Sequence, residues 1–167
     1  RKLGELTIRH DGDGMTDGEA AELCRSNDVI IADWGSRGLP SELADNPGRL
    51  RYVCSVTGSI RSFVPRVFVE KGLLVSNWGT SPAYGIAEGA FALLMTSLKE
   101  LVPIRNHIGQ DGWGVPESVR MGSLQNLRLG VYGLGAIGTQ FVNFVRAFGP
   151  ELSAYDPYCE DWPEGIK

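Results

Sequence analysis

Apolar and polar positions fall into short blocks along the chain, and the period of the blocks changes from one to the next. Residues 6–10 (Leu-Thr-Ile-Arg-His) alternate, which predicts a half-buried strand, and residues 11–14 read as a turn. Thr16 and Glu19 have the spacing of a capping box, and Ala20, Ala21, Leu23 and Cys24 follow at helical spacing. The apolar runs 29–32, 52–56 and 73–75 predict buried strands. Between them, residues 40–44 suit a short helix. Residues 63–71 suit another, with Pro65 in its first turn and Gly72 at its end. Residues 82–101 predict a long helix with Ala87, Ala90, Phe91, Leu94 and Leu98 on one face, capped by Thr80 or Ser81. Pro103 breaks or restarts that helix, and residues 111–116 form a loop. The rhythm then begins again, with a strand at 127–132, a helix at 137–148 closed by Gly149, and a strand at 152–155.

Strands alternating with helices predict an α/β protein with a parallel sheet covered on both faces. The restart places a domain boundary near Pro103, which gives domains 1–102 and 103–167.

The restarted block carries the most chemical information. Its strand ends in Gly133-Leu134-Gly135-Ala136-Ile137-Gly138, a Gly-x-Gly-x-x-Gly turn that opens the helix. The following strand ends in Asp156, then Pro157. Strand, glycine turn, helix, strand and acid is the order of a dinucleotide-binding unit. Gly133 allows the tight turn, Gly135 lets backbone approach a pyrophosphate, and Gly138 lets helix pack on strand. The helix N-terminus then offers free N–H groups to phosphate. Asp156 stands where an acid accepts hydrogen bonds from a ribose and repels a 2′-phosphate, which selects NAD over NADP.

Composition narrows the alternatives. Charged residues make up 22% and hydrophobic residues 43%, and net charge is −4, so no nucleic-acid footprint is present. Cys24, Cys54 and Cys159 lack metal-ligand spacing, which points to free thiols and a reducing, cytoplasmic setting. No metal site is expected. The longest apolar helix is too short to span a bilayer, and no secretory signal opens the chain. His107, in the helix after Pro103, is not read as a catalytic base, and Glu88, inside an apolar helix, reads as structural.

Nearly the whole chain, most clearly residues 50–157, resembles the D-isomer-specific 2-hydroxyacid dehydrogenase family. The resemblance rests on residues 50–54 with Thr57-Gly58-Ser59, on residues 70–77 ending in Asn77, and on Ile86-Ala87-Glu88. Gly112-Trp113, the glycine turn and Tyr155-Asp156-Pro157 complete it. Two positions depart from the family pattern. Arg61 or Ser62 stands where an Asp or Asn is usual, and Gly79 replaces a proline.

The resemblance implies a flavodoxin-like substrate domain followed by the start of a Rossmann NAD-binding domain. It implies an NAD-dependent oxidoreductase acting on the CH–OH group of a 2-hydroxy acid, and a homodimer. Thr57, Gly58 and Ser59 would hold the substrate carboxylate. Gly133, Gly135, Ala136, Ile137, Gly138, Asp156 and Pro157 would hold NAD. The family's catalytic Arg, Glu and His fall beyond Lys167, so no catalytic residue is expected within the chain, which looks like the interior of a longer enzyme and would be inactive alone. An NAD-sensing, corepressor-like binding protein is the alternative.

Overall fold

The computed structural model describes residues 4–8 and 14–167. Its contacts gather into two compact units, Arg1–Gly79 and Thr80–Lys167.

The first unit is built on β1 (Val29–Ala32), β2 (Tyr52–Ser55) and β3 (Leu74–Ser76), ordered β1-β2-β3. All pair in parallel, with Val29 opposite Tyr52 and Tyr52 opposite Leu74. Side chains alternate along each strand, so this register puts Ala32, Val53, Ser55 and Val75 on one face. That face carries the core. Val53 is fully buried in one cluster with Leu43, Leu50, Phe63 and Phe68. The cluster draws on α2 (Arg66–Glu70), on the 3₁₀ turn Ser41–Ala44, and on Cys24 of α1 (Asp17–Ser26).

α1 starts as its sequence predicts. Thr16 Oγ1 accepts from the Glu19 N–H at 3.3 Å, and the Glu19 carboxylate accepts from the Thr16 N–H at 2.8 Å. Pro65 caps α2 from outside instead of entering its first turn, since its φ of −55° and ψ of 142° are not helical.

Two expectations for this unit are not met. Residues 4–8 are irregular, and Leu6 and Ile8 are exposed, because alternation alone supplies no neighbouring strand to pair with. Arg9, His10 and residues 11–13 lie outside the described residues. The sheet is also layered on one face only among the described residues. Val29, Ile31 and Leu74 share the second face and are exposed, because the connecting segments all pack against Val53.

The second unit contains α3 (Ala83–Leu98), α4 (Leu101–Asp111), β4 (Arg128–Tyr132), α5 (Ala136–Val145), a 3₁₀ turn (Arg146–Phe148) and β5 (Glu151–Tyr155). α3 lies on α5. Tyr84 meets Phe144 edge to face at 5.0 Å, and Phe91 packs against Phe144 and Phe148. Ala87 is fully buried, whereas Ala90 and Glu88 are exposed. This packing puts α3 with the later elements, and the contacts divide at Gly79–Thr80. The helical break falls at Glu100, in left-handed backbone with φ 50°. Pro103 sits in the first turn of α4, where its missing N–H breaks no helical bond. Neither Thr80 nor Ser81 caps α3 through its side chain. Pro82 is the N-cap, and the Thr80 carbonyl accepts from the Ala83 N–H.

β4 and β5 pair in parallel, from Arg128 opposite Glu151 to Tyr132 opposite Tyr155. Leu129, Val131 and Leu152 pack with the fully buried Val142 and Val145 of α5. Lys167 bridges the free edge of β5. Its N–H donates to Leu152 O at 3.2 Å, and its carbonyl accepts from the Ala154 N–H at 3.1 Å. This pair of bonds has the parallel pattern.

Candidate functional site

In the second unit the three glycines of the turn have three different reasons to be glycine. Gly133 has φ +100°, which side chains rarely adopt. A Cβ on Gly138 would lie 1.9 Å from the Gly133 carbonyl oxygen, so α5 approaches the end of β4 closely only because that atom is absent. Gly135 has neither reason. Its φ is −66°, and a Cβ there would meet nothing within 4 Å. Nothing in the protein requires glycine at this position, and the space beside it is open to a group from outside.

The turn around that space is held from several sides. The Leu134 side chain is buried in the core under α5. The Leu134 N–H donates to Asp156 Oδ2 at 2.7 Å, and its carbonyl accepts from Thr139 Oγ1 at 2.9 Å. The Gly133 N–H donates to the Tyr155 carbonyl at 2.8 Å. Among the described residues, no protein acceptor meets the N–H groups of Gly135, Ala136 or Ile137. These donors and the positive end of α5 face the open space, a setting suited to phosphate. The residues present therefore fit the pyrophosphate of a dinucleotide.

Asp156 also accepts from the Tyr158 N–H at 2.8 Å. The Tyr158 N–H first, and the Leu134 N–H after it, hold the Asp156 carboxyl below its ordinary range. An ionised carboxylate has about four acceptor positions, so lone pairs remain for ribose hydroxyls. Pro157 is exposed immediately after it.

In the first unit, Thr57, Gly58 and Ser59 follow the C-terminal end of β2, the central strand. Their carbonyls are drawn to one side. Trp78 N–H donates to Thr57 O at 3.2 Å, and the Asn77 amide donates to Gly58 O. The amide N–H groups of Gly58 and Ser59 meet no protein acceptor among the described residues. Adjacent free N–H groups at the carboxyl end of a parallel strand can receive an anion. Thr57 serves differently. Its hydroxyl is buried and bonds Ser55 Oγ at 2.8 Å, so it supports the turn from beneath.

Sequence reasoning did not single out three supporting residues. Thr139 and the Asn77–Trp78 pair fix the two turns without lying in them. Asn77 had a signal, as part of the family-like stretch 70–77. Thr139 had none beyond its place next to Gly138. The cysteines are all free and half-buried. No three His, Cys, Asp or Glu side chains gather to hold a metal ion among the described residues, and no described helix is long and apolar enough to cross a membrane.

Residues 91–164 match the family model "D-isomer specific 2-hydroxyacid dehydrogenase, NAD binding domain". The chain is 24% identical over 157 residues to a D-3-phosphoglycerate dehydrogenase of Methanocaldococcus jannaschii, covering 94% of this chain and 29% of that protein. It is 33% identical over 88 residues to the D-3-phosphoglycerate dehydrogenase of Mycobacterium tuberculosis, covering 53% and 16%. Among solved structures, an acyclic imino acid reductase in complex with NADPH and D-Arg superposes with a TM-score of 0.77 at 19% identity, covering 92% of this chain and 49% of that one. The D-lactate dehydrogenase of Aquifex aeolicus, complexed with NAD and lactic acid, gives 0.71 at 23%, covering 84% and 42%. The chain thus spans less than a third of the curated relatives and under half of these solved chains.

Proposed function

We propose that this chain, whose residues 91–164 match the NAD-binding domain of the D-isomer-specific 2-hydroxyacid dehydrogenase family, is part of an NAD-dependent oxidoreductase that interconverts a 2-hydroxy acid and its 2-keto acid. One observation carries the reading. Gly135 is a glycine that neither its backbone nor its packing requires, and its own N–H is one of three free amides at a helix N-terminus.

Each turn has a task. Gly135, Ala136 and Ile137 receive the pyrophosphate on their N–H groups. Gly133 and Gly138 shape the turn that presents them. Asp156, its carboxyl held below the ordinary range by backbone donors, accepts from the ribose hydroxyls and repels a 2′-phosphate, and Pro157 opens the turn that brings the Tyr158 N–H back onto it. Gly58 and Ser59 receive the substrate carboxylate on their amides, while the buried Thr57 hydroxyl holds their turn in shape. When bound, NAD supplies the hydride acceptor, or NADH the donor, for C2 of the acid. The reading assigns no residue of this chain to binding the keto carbonyl or to moving the hydroxyl proton.

The relatives reported above carry enzyme names, which favours this reading over a corepressor-like binding protein. We extend the reading to a homodimer, which the exposed apolar residues Leu101, Val102, Ile108 and Trp113 support, and to a cytoplasmic location, which the free thiols support. Light scattering of the purified full-length protein checks the dimer.

The enzymatic test follows NADH oxidation by the full-length protein with a panel of 2-oxo acids, alongside calorimetry with NADH. Saturable turnover with at least one 2-oxo acid is expected. No turnover across the panel, with no NADH binding, sinks the proposal.

A further inference from the structure

Two large aromatic residues stand at the ligand end of the first sheet, and nothing in the reading above uses their side chains. Trp34 follows the end of β1 by two residues, and Trp78 follows the end of β3 by two. Their indole rings meet edge to face, with centroids 5.1 Å apart and planes at 85°. β2 lies between β1 and β3, and neighbouring strands are about 4.8 Å apart. Rings from the two outer strands therefore meet by converging past the end of β2, where Thr57, Gly58 and Ser59 begin. Backbone bonds fix the same place. Val56 N–H donates to Ala32 O at 2.8 Å, and Trp78 N–H donates to Thr57 O.

The indoles do not bury each other. Trp34 is 74% exposed and Trp78 39%. The result is an open aromatic corner beside a row of unsatisfied amide donors, at the edge of a parallel sheet where ligands bind. Ligand sites combine these two features, an apolar wall and a few polar groups that fix orientation. The charged groups of the β1 loop are committed elsewhere. Asp33 accepts from Gly35 N–H and Ser36 Oγ, and Arg37 pairs with Asp17 and donates to Met15 O. No cation of that loop is left to meet a phosphate at the corner.

We propose that Trp34 and Trp78 form the side-chain pocket for the acid whose carboxylate is received by the Gly58 and Ser59 amides. The site then selects 2-hydroxy and 2-keto acids with bulky apolar side chains, branched or aromatic, over small or phosphorylated ones. The inference rests on the dehydrogenase reading.

The test uses the full-length protein with four probes: phenylpyruvate, 4-methyl-2-oxopentanoate, pyruvate and 3-phosphohydroxypyruvate. kcat/KM for the better of the two bulky acids is expected to exceed that for pyruvate by about 10- to 100-fold, the discrimination an apolar pocket gives. Trp34→Ala and Trp78→Ala should each lower that ratio by about tenfold, and Trp34→Phe should restore most of it. A second readout needs no cofactor. D-phenyllactate should protect tryptophan fluorescence from acrylamide quenching in the wild type, and less in Trp34→Ala. If pyruvate or 3-phosphohydroxypyruvate is preferred and the tryptophan variants keep the wild-type ratio, the pocket assignment is overturned while the dehydrogenase reading stands. The phosphorylated arm covers the case in which the exposed Arg61 supplies a phosphate site instead. If no acid is reduced and none protects the tryptophans, both fall.

Discussion

The three glycines of the turn allow a separation that one variant alone does not give. Gly138→Ala puts a Cβ 1.9 Å from the Gly133 carbonyl oxygen, a distance that real Cβ atoms do not show below 3.0 Å. The difference, 3.0 − 1.9, requires α5 to withdraw from the end of β4 by 1.1 Å. The obstacle is backbone, so no side chain can rotate away. Overpacking of this kind costs about 1–3 kcal/mol, and the better helix propensity of alanine returns up to about 1 kcal/mol. The expected net loss in stability is about 1–2 kcal/mol. Gly135→Ala is different in both respects. Its Cβ enters open space at an ordinary φ, and the gain from a stiffer unfolded chain is offset by the poorer N-cap that alanine makes for α5, so stability changes by less than about 1 kcal/mol. The same Cβ occupies the place assigned to pyrophosphate, and NADH affinity should fall about 100-fold, or roughly 2.7 kcal/mol. Urea unfolding of the cofactor-free full-length protein measures the first quantity and calorimetry the second. A Gly135→Ala protein that binds NADH like the wild type refutes the cradle. A Gly138→Ala protein as stable as the wild type refutes the close approach.

Replacing Asp156 with Ser removes the like charge near the 2′ position, so the ratio of NADPH to NADH efficiency should rise. NADH affinity should fall at the same time, because Leu134 N–H loses its acceptor; steady-state kinetics with both cofactors checks the two effects. The Tyr158 and Leu134 N–H groups hold the Asp156 carboxyl below the ordinary carboxylate range. Its contribution to stability is therefore present above the unfolded value, and is lost as pH falls through the lower folded one. An unfolding midpoint that falls with pH below about 4 in the wild type, and less steeply in Asp156→Asn, is expected. Phe68→Ala empties a side chain that is 2% exposed in the first core and should cost about 3–5 kcal/mol by chemical denaturation. Thr16→Ala removes the α1 cap and should cost about 1 kcal/mol in the same assay.

What the sequence showed and what it hid divide by distance along the chain. Gly133, Gly138 and Gly149 answer constraints set within a few residues, so their spacing was readable. The Thr16–Glu19 box was readable for the same reason. The long helix was legible from its apolar spacing, but its partner was not, because the Phe144 and Phe148 rings that hold it lie more than 40 residues on from α3's end. Residues 6–10 alternate convincingly, yet alternation describes one strand and a sheet needs two. The aromatic corner was invisible, since Trp34 and Trp78 become neighbours only once three strands are in register.

The bond from Leu134 N–H to Asp156 joins residues 22 apart and crosses from β4 to β5. It sets an order of assembly. During synthesis the glycine turn leaves the ribosome before its lock exists. The turn acquires its final shape only after β5 has been made and has paired, when closing the intervening loop is rewarded by the strand ladder. Readiness for a dinucleotide is thus a late event in folding, timed by the second strand and not by the glycines. A nascent chain halted before Asp156 would display the whole motif without a fixed cradle.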